Sequence, residues 1–160
     1  MGLFYFDLSH AVKEHDFIIE KSGGRHGYKD LGLMDSVLEH MTNDIYYPEI
    51  HDKAVYLCFS IIKNHAFVDG NKRSSIVLTS YFLEINGLDY CITKFIREME
   101  NYAVYVAANF ISKELLYAII SSIIYEHDYQ EELKVEIALA LANQLPDDEN
   151  SEEDADDDLF

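Results

Sequence analysis

The chain has 160 residues, 49% of them hydrophobic and 13% aromatic, a profile that fits one domain with a sizeable core. Its formal net charge of -18 argues against a broad nucleic-acid surface, which needs a basic face, though a local cationic pocket survives that objection. Two cysteines, Cys58 and Cys91, make no disulfide framework, no Cys/His cluster has zinc spacing, and no apolar run reaches the roughly 18 residues of a membrane span.

The opening MGLFYFDLSH has no basic n-region, so no signal peptide is read and a cytoplasmic location is expected. Ser9 is placed to N-cap a first helix. Behind it stand Ala11, Val12, His15, Ile18 and Ile19 at helical spacing, and the helix should stop at Gly23 and Gly24. Residues 23–32 hold four glycines and read as a turn-rich loop or short hairpin. Residues 33–41 form a short helix with Leu33, Val37, Leu38 and Met41 on one side. His51 or Asp52 opens a segment that is apolar nearly all round over residues 54–62, as a central buried helix would be. A second such helix covers residues 74–85 and ends at Gly87, read as its C′ residue.

Residues 88–92 read as a short extended piece. Helices over residues 94–108 and 113–127 follow. Residues 131–145 carry Leu133, Ile137, Leu141 and Leu145 at i+4 spacing, with Pro146 marking the end. Nine of the thirty acids fall in residues 147–158, so residues 146–160 read as an acidic, disordered tail; an electrostatic plug for a cationic pocket is the alternative. With few strand signals, the fold class is mainly α.

The chemistry is concentrated in HAFVDGNKR, residues 65–73, which joins two apolar helices. His65 can accept a proton near neutral pH. Asp69 is a hard oxygen ligand suited to Mg²⁺. Gly70 lets backbone amides approach an anion closely, and a helix beginning near Asn71 points unpaired N–H groups at the same spot. Lys72 and Arg73 add two cations, although the helix dipole disfavours cations there, a local conflict of the kind that marks function. Together these groups suit phosphate. Phe67 should anchor the loop in the core.

The stretch resembles the Fic-domain signature H-P-F-x-[DE]-G-N-G-R-x-x-R, and is closer to the death-on-curing (Doc) branch, H-x-F-x-[DN]-[AG]-N-K-R. Upstream, SGGRHGYKDLGLMDS is similar to the Gly-rich flap region of that branch. The resemblance implies a compact helical Fic/Doc-like bundle with a short flap hairpin over residues 1–127, an additional C-terminal helix over 128–145 and the tail beyond. It implies His65 as general base for a target hydroxyl and Asp69 as the ligand of Mg²⁺ bridging nucleotide phosphates. Gly70 and Asn71 would orient phosphate oxygens, and Lys72 and Arg73 would bind the phosphate chain of ATP. The flap residues Gly27, Tyr28 and Lys29 would align a protein target by strand-like pairing.

Three positions depart from the adenylylating pattern: Ala66 replaces proline, Lys72 replaces the second glycine and Ile76 replaces the second arginine. The last two are shared with the Doc branch. That likeness implies transfer of the γ-phosphoryl group of ATP, with elongation factor Tu as the archetype's target and an antitoxin as partner. The alternatives are AMP transfer and a binding module without catalysis. Ser122 and Glu126 match most of an inhibitory Fic helix pattern, but its usual partner, the second arginine, is Ile76 here.

Overall fold

The computed structural model describes residues 2–143, which form seven α-helices and one 3-10 turn with no strand among them. The mainly α class is therefore as expected. Leu145, Pro146 and the acidic tail lie outside the described residues.

Helix α1 spans Leu8–Ser22. Its cap is Asp7, whose carboxylate accepts from His10 N at 2.9 Å, two residues ahead of Ser9; a carboxylate also suits the positive helix end. Helix α2, Leu31–His40, is capped by Asp30 and already includes Gly32. Its core face is Met34, Val37, Leu38 and Met41, a clean i, i+3, i+4, i+7 stripe. Leu33, expected on that face, stands 39% exposed, because it lies about 100° round the helix from Met34.

Helix α3, Ile50–Asn64, is the central one and packs against α2, α4, α5 and α6. Asp52 lies inside its first turn and accepts from Glu49 N at 2.9 Å. Burial pushes the Cys58 thiol on this helix up to about 12, so it stays an inert thiol. Helix α4, Asn71–Ile85, packs on α1, α3 and α5. After it, Leu88 N donates back to Leu83 O at 3.0 Å. That closure turns the chain into the 3-10 turn Asp89–Cys91, where an extended piece was expected.

Helix α5, Ile92–Ala107, buries Phe95, Met99, Ala103 and Val106. Helix α6, Lys113–Tyr125, is capped by Ser112. His51, at the start of α3, bonds the hydroxyls of Tyr117 and Tyr125 at 2.8 and 2.9 Å, while Lys63 near its end reaches Asn109. The two helices are therefore antiparallel, and α6 ends beside the start of α3. Helix α7, Glu131–Ala142, leans on α6 through buried Ile137 and half-buried Leu133 and Leu141. Among the described residues no helix is long and apolar enough to cross a membrane.

One charge is built into the packing. Lys53 on α3 is fully buried, and its ammonium donates to Met41 O at 3.0 Å and Asp44 Oδ1 at 2.8 Å. It also lies 5.9 Å from the Tyr5 ring centroid. It thereby fastens the N-terminal segment and the α2–α3 connection to the central helix. Lys53→Ala is expected to lower stability by about 2–4 kcal/mol, since it opens a cavity and strands a buried carbonyl. Asp44 is 81% exposed, so Asp44→Ala is expected to cost under about 1 kcal/mol. Urea unfolding of the two variants checks both.

Candidate active site

The loop between α3 and α4 must dispose of its own backbone polar groups, because most of it is buried. Phe67, 0% exposed, is held at both ends by one side chain: Phe67 N donates to Asn71 Oδ1 at 3.1 Å, and Asn71 Nδ2 donates to Phe67 O at 2.9 Å. Ala66 O accepts from Lys29 N and Asp30 N, and Val68 N donates to Gly27 O. Asp69 O accepts from His15 Nε2 at 2.6 Å. Gly70 N donates to Asp69 Oδ1 at 2.7 Å, and Gly70 O accepts from Ser74 N to start α4.

The flap residues Gly27, Tyr28 and Lys29 thus meet the motif loop directly. They form a single antiparallel bridge, Tyr28 to Phe67, where a short hairpin was expected: the flap's partner is a strand-like stretch 39 positions away in the sequence, not its own neighbour. The bonds flank Tyr28, making Tyr28 and Phe67 a non-hydrogen-bonded pair, whose own N–H and C=O point away from the partner. Tyr28 leaves 43% of its surface exposed, and its hydroxyl donates to both oxygens of Asp16 at 2.9 and 3.1 Å. That hydrogen bond holds the phenol above its ordinary pKa.

His65 is the C-cap of α3, with φ 48 and ψ 47, and it is exposed. The left-handed region is strained for a residue with a Cβ, and such strain collects at functional positions. Five residues on, Gly70 is the N-cap of α4 at φ 79 and, as a glycine, brings no side-chain cap of its own. A left-handed residue leading into helix amides is an anion nest, and glycine takes that conformation freely. Asp69, 7% exposed, stands at its edge. Its Oδ2 accepts from Arg25 N at 2.8 Å, and Arg73 Nη2 lies 3.8 Å from its Oδ1.

Arg73 also donates to Ser22 Oγ and Gly23 O, each at 2.7 Å, so one guanidinium joins the end of α1 to the motif carboxylate. Lys72 is half-buried in the first turn of α4. Ile76, in the position of the adenylylating pattern's second arginine, is 5% exposed and belongs to the core. Glu126 caps the far end of α6, beside His51. The 15-residue α3 separates that end from His65 by about 21 Å at 1.5 Å per residue, so the Ser122–Glu126 pattern lies away from the loop.

The donor set bears on Mg²⁺. Among the described residues no group of three or more His, Cys, Asp or Glu gathers to cage a metal. One fixed carboxylate beside a phosphate nest is instead the arrangement for Mg²⁺ carried by substrate phosphates, which needs only one or two protein carboxylates. Space is tight around it: a Cβ on Gly24 would stand 2.6 Å from Asp69 Oδ2 and 2.9 Å from Arg73 Nη2.

His15, Asp16, Gly24 and the Arg25 amide carry no functional expectation from sequence, yet all contact this cluster. One signal was present for His15: a polar residue at an apolar register, between Ala11 and Ile18, needs a buried partner.

A histidine in a strained cap, a carboxylate fixed by two amides and the amino end of a helix are groups whose chemistry suits phosphate. The chain matches the Fic/DOC family over residues 5–83. It is similar to Toxin Doc of Mycolicibacterium smegmatis, 40% identical over 70 residues that cover 41% of this chain and 54% of that protein. The chain thus spans about half the length of the curated relative it matches.

The strain separates stability from chemistry. His65→Gly relieves a left-handed Cβ but frees the unfolded chain, effects of about 1 kcal/mol each and opposite in sign, so its urea midpoint should stay close to wild type. Gly24→Ala, at φ +121, is expected to lose about 1–3 kcal/mol, read in the same unfolding experiment.

Proposed function

We propose that this chain is a Doc-like toxin that transfers the γ-phosphoryl group of ATP to a Ser or Thr hydroxyl of a protein target. The observation that carries the reading is the loop itself: strained, exposed His65 stands five residues ahead of the left-handed glycine that opens α4, with buried Asp69 beside it. The similarity to Toxin Doc supports it. So does the burial of Ile76, which leaves no guanidinium where the adenylylating pattern grips the terminal phosphate.

In this reading His65 takes the proton from the target hydroxyl. The oxygen forms a bond to the γ-phosphorus as the bond to the β,γ-bridging oxygen breaks, and ADP leaves with that electron pair. The amides after Gly70 bind phosphate oxygens, with Asn71 holding them in place by closing the loop. Lys72 and Arg73 supply positive charge, Arg73 from its seat beside Asp69. Asp69 is the residue that would hold Mg²⁺, which when bound neutralises phosphate charge. The outward N–H and C=O of Tyr28, between Gly27 and Lys29, would pair with an extended segment of the target.

A translation factor such as elongation factor Tu is the proposed target class, and an antitoxin the proposed restraining partner. Both come from the family likeness.

The test supplies purified protein with α- or γ-labelled ATP and a cell extract. The γ label is expected to enter protein, and His65→Ala should slow this by about 10²-fold or more. Entry of the α label would make AMP transfer the activity. No label from wild-type protein would favour the binding module.

A further inference from the structure

We propose that His15 is a positioning residue: it sets the direction of the Asp69 carboxylate by gripping the Asp69–Gly70 peptide from behind. This rests on the reading of Asp69 as the metal-holding group. His15 lies in the middle of α1 and is 0% exposed. Its ring stacks on Phe67 with centroids 3.9 Å apart and planes 11° from parallel. Stacking alone would be served as well by phenylalanine. The contact that phenylalanine could not make is Nε2 to Asp69 O, at 2.6 Å. A carbonyl only accepts, so Nε2 carries the proton and donates.

That bond acts through a rigid unit. The peptide between Asp69 and Gly70 is planar and trans, so its C=O and N–H point in opposite directions. With the carbonyl drawn towards α1, the Gly70 N–H is turned away from α1, and there it donates to Asp69 Oδ1 at 2.7 Å. The carboxylate is thus aimed by a relay that starts at His15 and passes through one peptide plane. The second oxygen is fixed by Arg25 N at 2.8 Å, leaving the carboxylate little freedom to rotate. The space confirms how close the ring stands: a Cβ on Gly70 would lie 3.5 Å from His15 Nε2.

The other ring nitrogen stands beside the group that anchors the flap. His15 Nδ1 lies 3.2 Å from Asp16 Oδ1, and Asp16 accepts from the Tyr28 hydroxyl. The polar groups beside the two ring nitrogens are therefore Asp16, the next residue on α1, and the Asp69 carbonyl of the motif loop. Groups that hold a metal ligand in orientation commonly matter to metal affinity by 10- to 100-fold.

The experiment compares two variants. His15→Phe keeps the stacked ring and loses the donor; His15→Gln loses the ring and keeps an N–H close to the Nε2 position. The first readout is the Gly70 amide proton shift by NMR in the nucleotide-free protein, which reports the Gly70–Asp69 bond directly. The second is the affinity for Mn²⁺ with a non-hydrolysable ATP analogue, by electron paramagnetic resonance. In His15→Phe the Gly70 amide is expected to move to the position of a weaker hydrogen bond, and Mn²⁺ affinity to fall about 10- to 100-fold. His15→Gln should recover most of both. A wild-type Gly70 shift in folded His15→Phe, or equal losses in the two variants, would overturn the proposal. Absence of Mn²⁺-nucleotide binding by the wild-type protein would instead count against the phosphotransfer reading, while the Gly70 shift still decides the role of His15.

Discussion

A six-residue loop that is largely buried between two core helices has to satisfy its backbone without forming a helix or a sheet. Every feature of the site follows from how residues 65–70 meet that constraint. Asn71 closes the loop on Phe67, the flap supplies two N–H donors to Ala66 O and one acceptor, Gly27 O, for Val68 N, and α1 supplies His15. Beyond those bonds the loop runs into the first turn of α4, with glycine as its N-cap. The loop is thus rigid on three sides and presents its amides on the fourth, and preorganised donors of this kind stabilise charge without reorganising during reaction.

The same bonds tie distant parts of the chain together. His15 and Asp69 are 54 positions apart, as Ser22 and Arg73 are 51 apart. Arg73 serves α1 twice, as a cation at its carboxyl end and as a donor to the Ser22 hydroxyl and the Gly23 carbonyl, while keeping positive charge near Asp69. A helix that carries no motif residue, α1, is therefore one that braces the motif. A chain with a net charge of -18 gathers Arg25, Lys29, Lys72 and Arg73 in these two segments, which makes the loop a local exception to an acidic surface.

What could be read from sequence follows the range of the interactions. Helices α3 to α6 were legible because their apolar residues repeat at helical spacing, and the HAFVDGNKR stretch because its chemistry is contiguous. Boundaries slipped where a cap decides them: Asp7 outcompetes Ser9, and Asp30 starts α2 early enough to turn Met34 inward in place of Leu33. The flap misled for a different reason. Its glycines signal turns equally well whether the chain pairs with itself or with a loop far along the sequence, and only the tertiary structure puts Tyr28 opposite Phe67. The likeness implies that Asn71 orients phosphate oxygens; the structure adds that its side chain closes the loop on Phe67. Gly24 and His15 act on Asp69 across long sequence distances, which no local spacing encodes.

The central claim is that this loop offers the γ-phosphate, and not the α-phosphate, to the hydroxyl that His65 deprotonates. The geometry of the bound nucleotide decides it. A crystal structure of the wild-type protein with Mg²⁺ and a non-hydrolysable ATP analogue should place the γ-phosphorus nearest the His65 ring, with the metal on Asp69. The α-phosphorus in that position, with the γ-phosphate directed elsewhere, would contradict the account.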